Sequence, residues 1–349
     1  MSTPYTLGPV IDRPTFTPAT RAPLKIALEE AAGTTVFDPT TTLPPLKFTG
    51  ELPNVVSDYV ADVKYRLFDI GSRVQAMDRA GIALTVVSLT MPGIEGILDK
   101  ATAVDFARKV NDELYQRYRT GPHSQRFRVF GCVPMQDPEA AALEAERCVR
   151  DLGCVGVLIN GFSNISSTDV QYLDEPQCAP FWAKLEELDV PLYLHPRPPP
   201  PDQMRVYKGY EYLAGSPWGF GAETAAHVIR LFDRHPKLKI IIGHCGEGIP
   251  HSLYRIDHRL RHFKRDNVPC LKPLQQYWEE NFWITTAGVM SDTALASTVK
   301  VCGEDRVMYS VDYPYEDYDE IGAWFDGLEM SEATRAKIGW GNAKSLLRI

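Results

Sequence analysis

The sequence predicts an α/β protein, a (β/α)8 barrel of the TIM type with long active-site loops and an N-terminal arm. Eight short apolar runs alternate with longer amphipathic segments, the pattern of parallel strands joined by crossover helices. A length of 349 residues with 44% hydrophobic content can bury a core of that size, although it would also suit two smaller domains. The rival open doubly wound sheet usually carries a glycine-rich phosphate loop after its first strand, and Glu30-Ala-Ala-Gly33 is not one.

Residues 1–22 are rich in Thr and Pro and show little apolar periodicity, so they read as an extension, with residues 23–349 forming the barrel domain. The strand candidates are 25–30, 83–89, 127–134, 155–160, 190–195, 238–244, 282–287 and 306–312. Helical patterns lie between them at 69–79, 102–118, 139–151, 180–188, 222–234, 250–263, 292–301 and 316–328, and Ser331-Glu-Ala-Thr334 reads as a helix N-cap. Two connections are long, 31–68 and 196–221, and both leave C-terminal strand ends, where they could roof a pocket. The second carries Pro198-Pro-Pro-Pro201 and then Tyr207, Tyr210, Tyr212, Trp218 and Phe220. It is either a stiff lid lining an aromatic site or a polyproline spacer with surface tyrosines.

The formal charge of -8, from 45 acidic against 37 basic residues without a block of either sign, argues against a nucleic-acid surface and for a small-molecule partner. Cysteines 132, 148, 154, 178, 245, 270 and 302 form no Cys-x-x-Cys pair and read as reduced thiols. The first residues lack the pattern of a signal peptide, and no run approaches the roughly 18 apolar residues of a membrane span. The expected location is cytoplasmic.

Four segments place ionisable side chains where predicted strands end: Glu29 in Ile26-Ala-Leu-Glu-Glu30, His195 in Leu192-Tyr-Leu-His-Pro196, His244 and Glu247 in Gly243-His-Cys-Gly-Glu247, and Asp312 in Ser310-Val-Asp-Tyr-Pro314. In a barrel all C-terminal strand ends converge on one face. Glu29, His195 and Asp312 would then offer two anionic oxygens and one nitrogen to a divalent metal, with water or substrate completing its shell. Each alone has an ordinary alternative, as a helix cap, a loop anchor or a hydrogen-bonded core histidine. Their joint position at the ends of the first, fifth and eighth strands favours the metal.

As a set these motifs resemble those of the amidohydrolase-related (amidohydrolase 2) decarboxylases, which include 2,3-dihydroxybenzoate, γ-resorcylate and salicylate decarboxylases. The resemblance runs from about Lys25 to the C-terminus. It implies that Glu29 is a metal ligand. Many family members have a second ligand, His, two positions later, where this chain has Ala31. Fungal members look to share that Ala, so the substitution leaves the family intact but moves the expected ion from Zn2+ toward Mg2+ or Mn2+. By resemblance, His244 contacts the substrate and Glu247 fixes its tautomer; the bland alternative is a tight turn with Glu247 capping the next helix. Arg255, eight residues after Glu247, resembles an arginine that helps hold an anionic substrate, or else makes a surface salt bridge.

The function this implies is non-oxidative, reversible decarboxylation of an ortho-hydroxybenzoate such as 2,3-dihydroxybenzoate, with Asp312 delivering a proton to the ring carbon. Family members resemble homodimers or homotetramers. Two other readings stand beside it: a lactonase-like hydrolase on the same barrel, with Asp312 as base for a metal-bound water, and a degenerate, non-catalytic barrel.

Overall fold

The structure, a computed structural model, describes residues 24–36, 56–200, 202–210, 213–214, 220–264 and 270–349. The predicted arm, part of the 31–68 connection, and Pro201, Tyr212 and Trp218 of the second long loop lie outside the described residues. Eight parallel strands form one sheet in sequence order. They are β1 (Lys25–Ala32), β2 (Ile82–Leu89), β3 (Phe127–Cys132), β4 (Gly156–Asn160), β5 (Leu192–His195), β6 (Ile240–Ile242), β7 (Phe282–Thr285) and β8 (Val307–Met308).

Side chains alternate along each strand. Inward positions, including Leu28, Val86, Phe130, Leu158, Tyr193, Ile241 and Met308, make one apolar cluster. Ala343, Leu346 and Leu347 of the C-terminal helix Asn342–Leu347 join it beside Val155, at the start of β4, and so plug the end opposite the strand C-termini. Outward residues such as Ala27, Val87, Ile159, Leu194, Ile240 and Val307 pack in a larger cluster beneath the surrounding helices.

The seam between β8 and β1 is closed largely by side chains. Among the described residues, backbone pairing there is limited to a bridge at Glu30 and Tyr313, with the Ala31 N–H donating to the Tyr313 carbonyl at 2.7 Å. Ser310 Oγ accepts from the N–H groups of Leu28 (3.1 Å) and Glu29 (2.6 Å). The buried Glu30 carboxylate in turn accepts from Ser310 Oγ at 3.1 Å, Val311 N at 3.1 Å and Tyr313 N at 3.2 Å. Arg73, fully buried below, donates to the Ala31 carbonyl and lies 4.6 Å from the Tyr313 ring centroid.

All eight predicted strands are present; the third to eighth are shorter than expected, the sixth and eighth most of all, because the chain beyond Ile242 and Met308 turns out of register to build the site. Ser331 caps its helix as expected, its side chain accepting from Thr334 N. The 31–68 connection contains an unforeseen helix, Ser57–Phe68; another, Leu274–Asn281, precedes β7, and a two-stranded hairpin pairs Ser163–Asn164 with Val170–Gln171. All seven cysteines are free and buried. Among the described residues no helix is long and apolar enough to cross a membrane.

Candidate active site

Glu29 reaches the barrel interior through a β-bulge. Ile26 and Leu28 point inward, so simple alternation would turn Glu29 out, but the register with β2 slips between Ala27 and Glu30. An extra residue on one strand re-aims the side chain that follows. Glu29 Oε2 then accepts from the Tyr193 hydroxyl and lies 3.4 Å from Thr285 Oγ1, while those two hydroxyls are 2.8 Å apart. Gly243 permits this, since a Cβ there would collide with Glu29 Oε2.

His195 follows Tyr193 by two residues on β5 and shares its face, which brings Nε2 to 3.3 Å from Glu29 Oε1. Asp312 continues the inward series Met308, Ser310 and adopts φ 75°. Glu29, His195 and Asp312 each offer one ligand atom within 4.8 Å of the others. Glu29 Oε1 and His195 Nδ1 are buried without a hydrogen-bond partner. Two carboxylates sharing an enclosed site repel each other unless a positive charge joins them. The donor set, with oxygens and an imidazole from three strand ends, therefore fits a divalent cation.

His244 stands beside this trio, its Nε2 3.7 Å from Glu29 Oε1 and 3.6 Å from Asp312 Oδ2, and its Nδ1 2.6 Å from Glu247 Oε1. The turn that holds it runs through positive φ at His244 (49°), Cys245 (54°), Gly246 (88°), Glu247 (53°) and Gly248 (73°). Three residues there carry a Cβ in a region that disfavours one, so the surrounding contacts hold a strained backbone. Glu247 serves His244, and no side-chain cap is made to the helix Ile249–Leu260.

Burial alone would lower the His244 pKa, but the carboxylates of Glu29 and Glu247, the nearby Asp312 and the hydrogen bond to Glu247 hold it well above the usual imidazole value. Burial pushes the Asp312 carboxyl up, and the Glu29 charge adds to this, against the opposing pull of His244. Glu316, whose N–H bonds to the Asp312 carbonyl, is pushed up to about 7 by burial and then by the Asp312 charge.

The cavity beside the trio is walled by Ala31, Ser88, Thr90, Met91, Leu158, Asn160 and Tyr315 in addition to the ionisable residues. Ala31 is only partly buried and open to this space. Tyr315 ties the wall together, its hydroxyl 2.6 Å from Thr90 Oγ1 and its carbonyl accepting from Tyr59 OH at 2.9 Å.

Five of the six predicted site residues, Glu29, His195, His244, Glu247 and Asp312, thus converge. Arg255 does not: it is exposed on the helix Ile249–Leu260, which buries Ile249, Pro250 and Leu253. Counting helical turns from Glu247 fails because the left-handed turn through Gly248 breaks the helix, and Arg255 lies about 200° around from Leu253. In the second loop Tyr210 is exposed, whereas Phe220 is buried edge-on to Phe162. Tyr193 and Thr285 were missed by sequence reasoning, although Tyr193 was findable as the same-face neighbour of His195.

A metal-ligating set at the C-terminal face of an eight-stranded barrel defines a class shared by many hydrolases and lyases. The family is narrower: a model for amidohydrolases matches residues 38–349, and the chain belongs to that family. It is 44% identical over 296 residues to γ-resorcylate decarboxylase of Polaromonas sp. (strain JS666), covering 82% of this chain and 90% of that one. Identity to decarboxylase orsB of Emericella nidulans is 36% over 293 residues, covering 79% and 85%. Among solved structures, 2,6-dihydroxybenzoate decarboxylase complexed with 2,6-dihydroxybenzoate superposes with a TM-score of 0.85 at 39% identity, over 93% of this chain and 99% of that one. The dihydroxybenzoic acid decarboxylase of Polaromonas sp. JS666, with bound manganese and the inhibitor 2-nitroresorcinol, gives 0.84 at 42% identity, over 93% and 96%. The expected barrel and family are borne out, and the chain is a carbon–carbon lyase of the decarboxylase branch. γ-Resorcylate is 2,6-dihydroxybenzoate, so these relatives differ from the 2,3-dihydroxybenzoate example that the sequence suggested.

Proposed function

We propose that this protein is a divalent-metal-dependent, non-oxidative decarboxylase of an ortho-hydroxybenzoate, with 2,6-dihydroxybenzoate the first substrate to try. The observation that carries the reading is geometric: Asp312, a half-buried carboxyl beyond the end of the eighth strand, stands in a metal-ligating trio facing His244. A carboxyl in that position suits proton delivery to carbon. Glu29, His195 and Asp312 would hold a divalent ion, which would supply Lewis-acid chemistry toward an anionic substrate.

The chain's own groups do the rest. Asp312 donates its proton to the ring carbon that bears the carboxylate. The bond from that carbon to the carboxylate then breaks, its electron pair returns to the ring, and CO2 leaves; solvent restores the proton to Asp312. His244, which stands between the trio and Glu247, faces the anionic substrate, and Glu247 fixes its orientation. Tyr193 and Thr285 hold Glu29 in place. With Ala31 leaving an oxygen-rich set, Mg2+ or Mn2+ suits the site better than Zn2+. The relative with bound manganese supports that preference.

The test is to quantify bound metals in the purified protein and to follow CO2 release from 2,6-dihydroxybenzoate, 2,3-dihydroxybenzoate and salicylate, with and without chelator. Chelator-sensitive CO2 release is expected. Bound metal without CO2 from any of them would move the assignment to hydrolysis.

A further inference from the structure

Three residues walling the cavity carry a buried polar atom without a partner: Glu29 Oε1, His195 Nδ1 and Asn160 Oδ1. The first two belong to the ligand set. Asn160 does not, and a buried carbonyl oxygen is rarely left without a donor.

Asn160 is the last residue of β4 and the register partner of His195, so it stands at the same level of the barrel as the metal ligands. It follows the inward-facing Leu158 by two residues, and both wall the cavity. Its orientation is fixed from behind by Glu95, which is 1% exposed on the short turn Ile94–Gly96 after β2. Glu95 Oε1 accepts from the Asn160 backbone N–H at 2.7 Å, and Asn160 Nδ2 lies 3.3 Å from each Glu95 oxygen. The NH2 end serves Glu95, and Oδ1 is left without a protein donor on a residue that walls the cavity. An acceptor-only atom selects for a neutral O–H or N–H and repels a carboxylate or phenolate.

We propose that Asn160 is a specificity-determining residue whose Oδ1 accepts a hydrogen bond from a second ring hydroxyl, so that dihydroxylated rings are preferred over monohydroxylated ones. Glu95 is the positioning residue behind it. The proposal rests on the aromatic-acid reading of the site, and its test separates the two.

The probes are three unreactive nitro analogues, which have no carboxylate to lose: 2-nitrophenol, 2-nitroresorcinol and 3-nitrocatechol. Their affinities for manganese-loaded wild type, Asn160→Leu and Asn160→Ala are measured by calorimetry, beside the CO2 assay on wild type. Wild type should bind one of the two dihydroxy probes more tightly than 2-nitrophenol by about tenfold or more, the scale of one hydrogen bond in a partly dry site. Both variants should lose that ratio through weaker dihydroxy binding, with 2-nitrophenol affinity kept. A purely structural role would weaken all three alike and overturn the proposal, as would a ratio that survives in either folded variant. No CO2 from wild type with the ratio intact and Asn160-dependent would sink the decarboxylase reading and leave the specificity role standing. Failure of wild type to bind any probe would overturn both.

Discussion

His244 Nδ1 and Glu247 Oε1 lie 2.6 Å apart on a turn where both residues have positive φ. The strained turn and the hydrogen bond together direct Nε2 at Glu29 and Asp312, so the orientation of the imidazole is built into the backbone. Glu247→Gln keeps the shape and removes the charge. The expected result is a kcat lowered by about 10- to 100-fold, in line with the loss of an orienting carboxylate, and unchanged metal content. Since the Glu247 charge is one of the causes that raise the His244 pKa, its removal should move the limb of the pH–rate profile due to His244 deprotonation to lower pH. An unaltered kcat and profile would mean that the pair serves only the turn.

Asp312 is asked to do two things, to hold the ion and to carry the proton, and an amide in its place separates them. The amide could still present an oxygen to a cation but has no acidic proton. Asp312→Asn should therefore lower turnover by about a hundredfold or more, the scale of a lost general acid, while 2-nitroresorcinol still binds the metal-loaded variant within a few-fold of wild type. Turnover retained alongside bound metal would remove Asp312 from the proton step.

Glu29 is held by hydroxyls that no motif would have singled out. Tyr193→Phe removes the donor to Oε2 and leaves the ring in the barrel core. Metal affinity should fall by about 10- to 100-fold, measured by competition with a fluorescent chelator. Because Thr285 Oγ1 is only 3.4 Å from the same oxygen, the double variant with Thr285→Val should be weaker again. Equal affinity in all three would show that the bulge alone positions Glu29.

What the sequence displayed and what it concealed follow from the range of the interactions. Strands announce themselves by local apolar runs, so β1 to β8 were all legible, and the ligating residues followed from the rule that strand C-termini share a face. The inward aim of Glu29 was not legible, because it depends on a bulge set by pairing with β2. Nothing local in the sequence marks Glu30, which closes the barrel by accepting from Ser310, Val311 and Tyr313, some 280 residues away. Arg255 is exposed on this chain because the left-handed turn at Gly248 interrupts the periodicity that would have returned it to the face of Glu247. Helix Ser57–Phe68 was read as loop; its buried face is limited to Val63 and Leu67, too sparse for a clear stripe.

Position 31 offers a test of which ion the site prefers. Ala31 is open to the cavity two residues after Glu29, so an imidazole placed there could join the ligand set. Ala31→His is expected to raise Zn2+ affinity relative to Mg2+, read as the ratio of bound metals after equilibration with a mixture of the two. An unchanged ratio would mean that the side chain at 31 does not reach the ion.

Glu30 also makes a prediction about stability that is independent of catalysis. Burial pushes its carboxyl up to about 8, against the hydrogen bonds from Val311 and Ser310 and the Arg73 charge, which lower it. An acid whose pKa is higher in the fold than in the unfolded chain is bound to its proton more tightly when folded. Its contribution is therefore most favourable below the ordinary carboxyl range and declines as pH rises to about 8. Glu30→Gln keeps an oxygen acceptor for the seam but cannot ionise. Denaturation midpoints taken with chelator present, between about pH 5.5 and pH 8.5, should show wild type losing stability relative to the variant as pH rises. A constant difference across that interval would place the Glu30 pKa outside it and leave the seam indifferent to its charge.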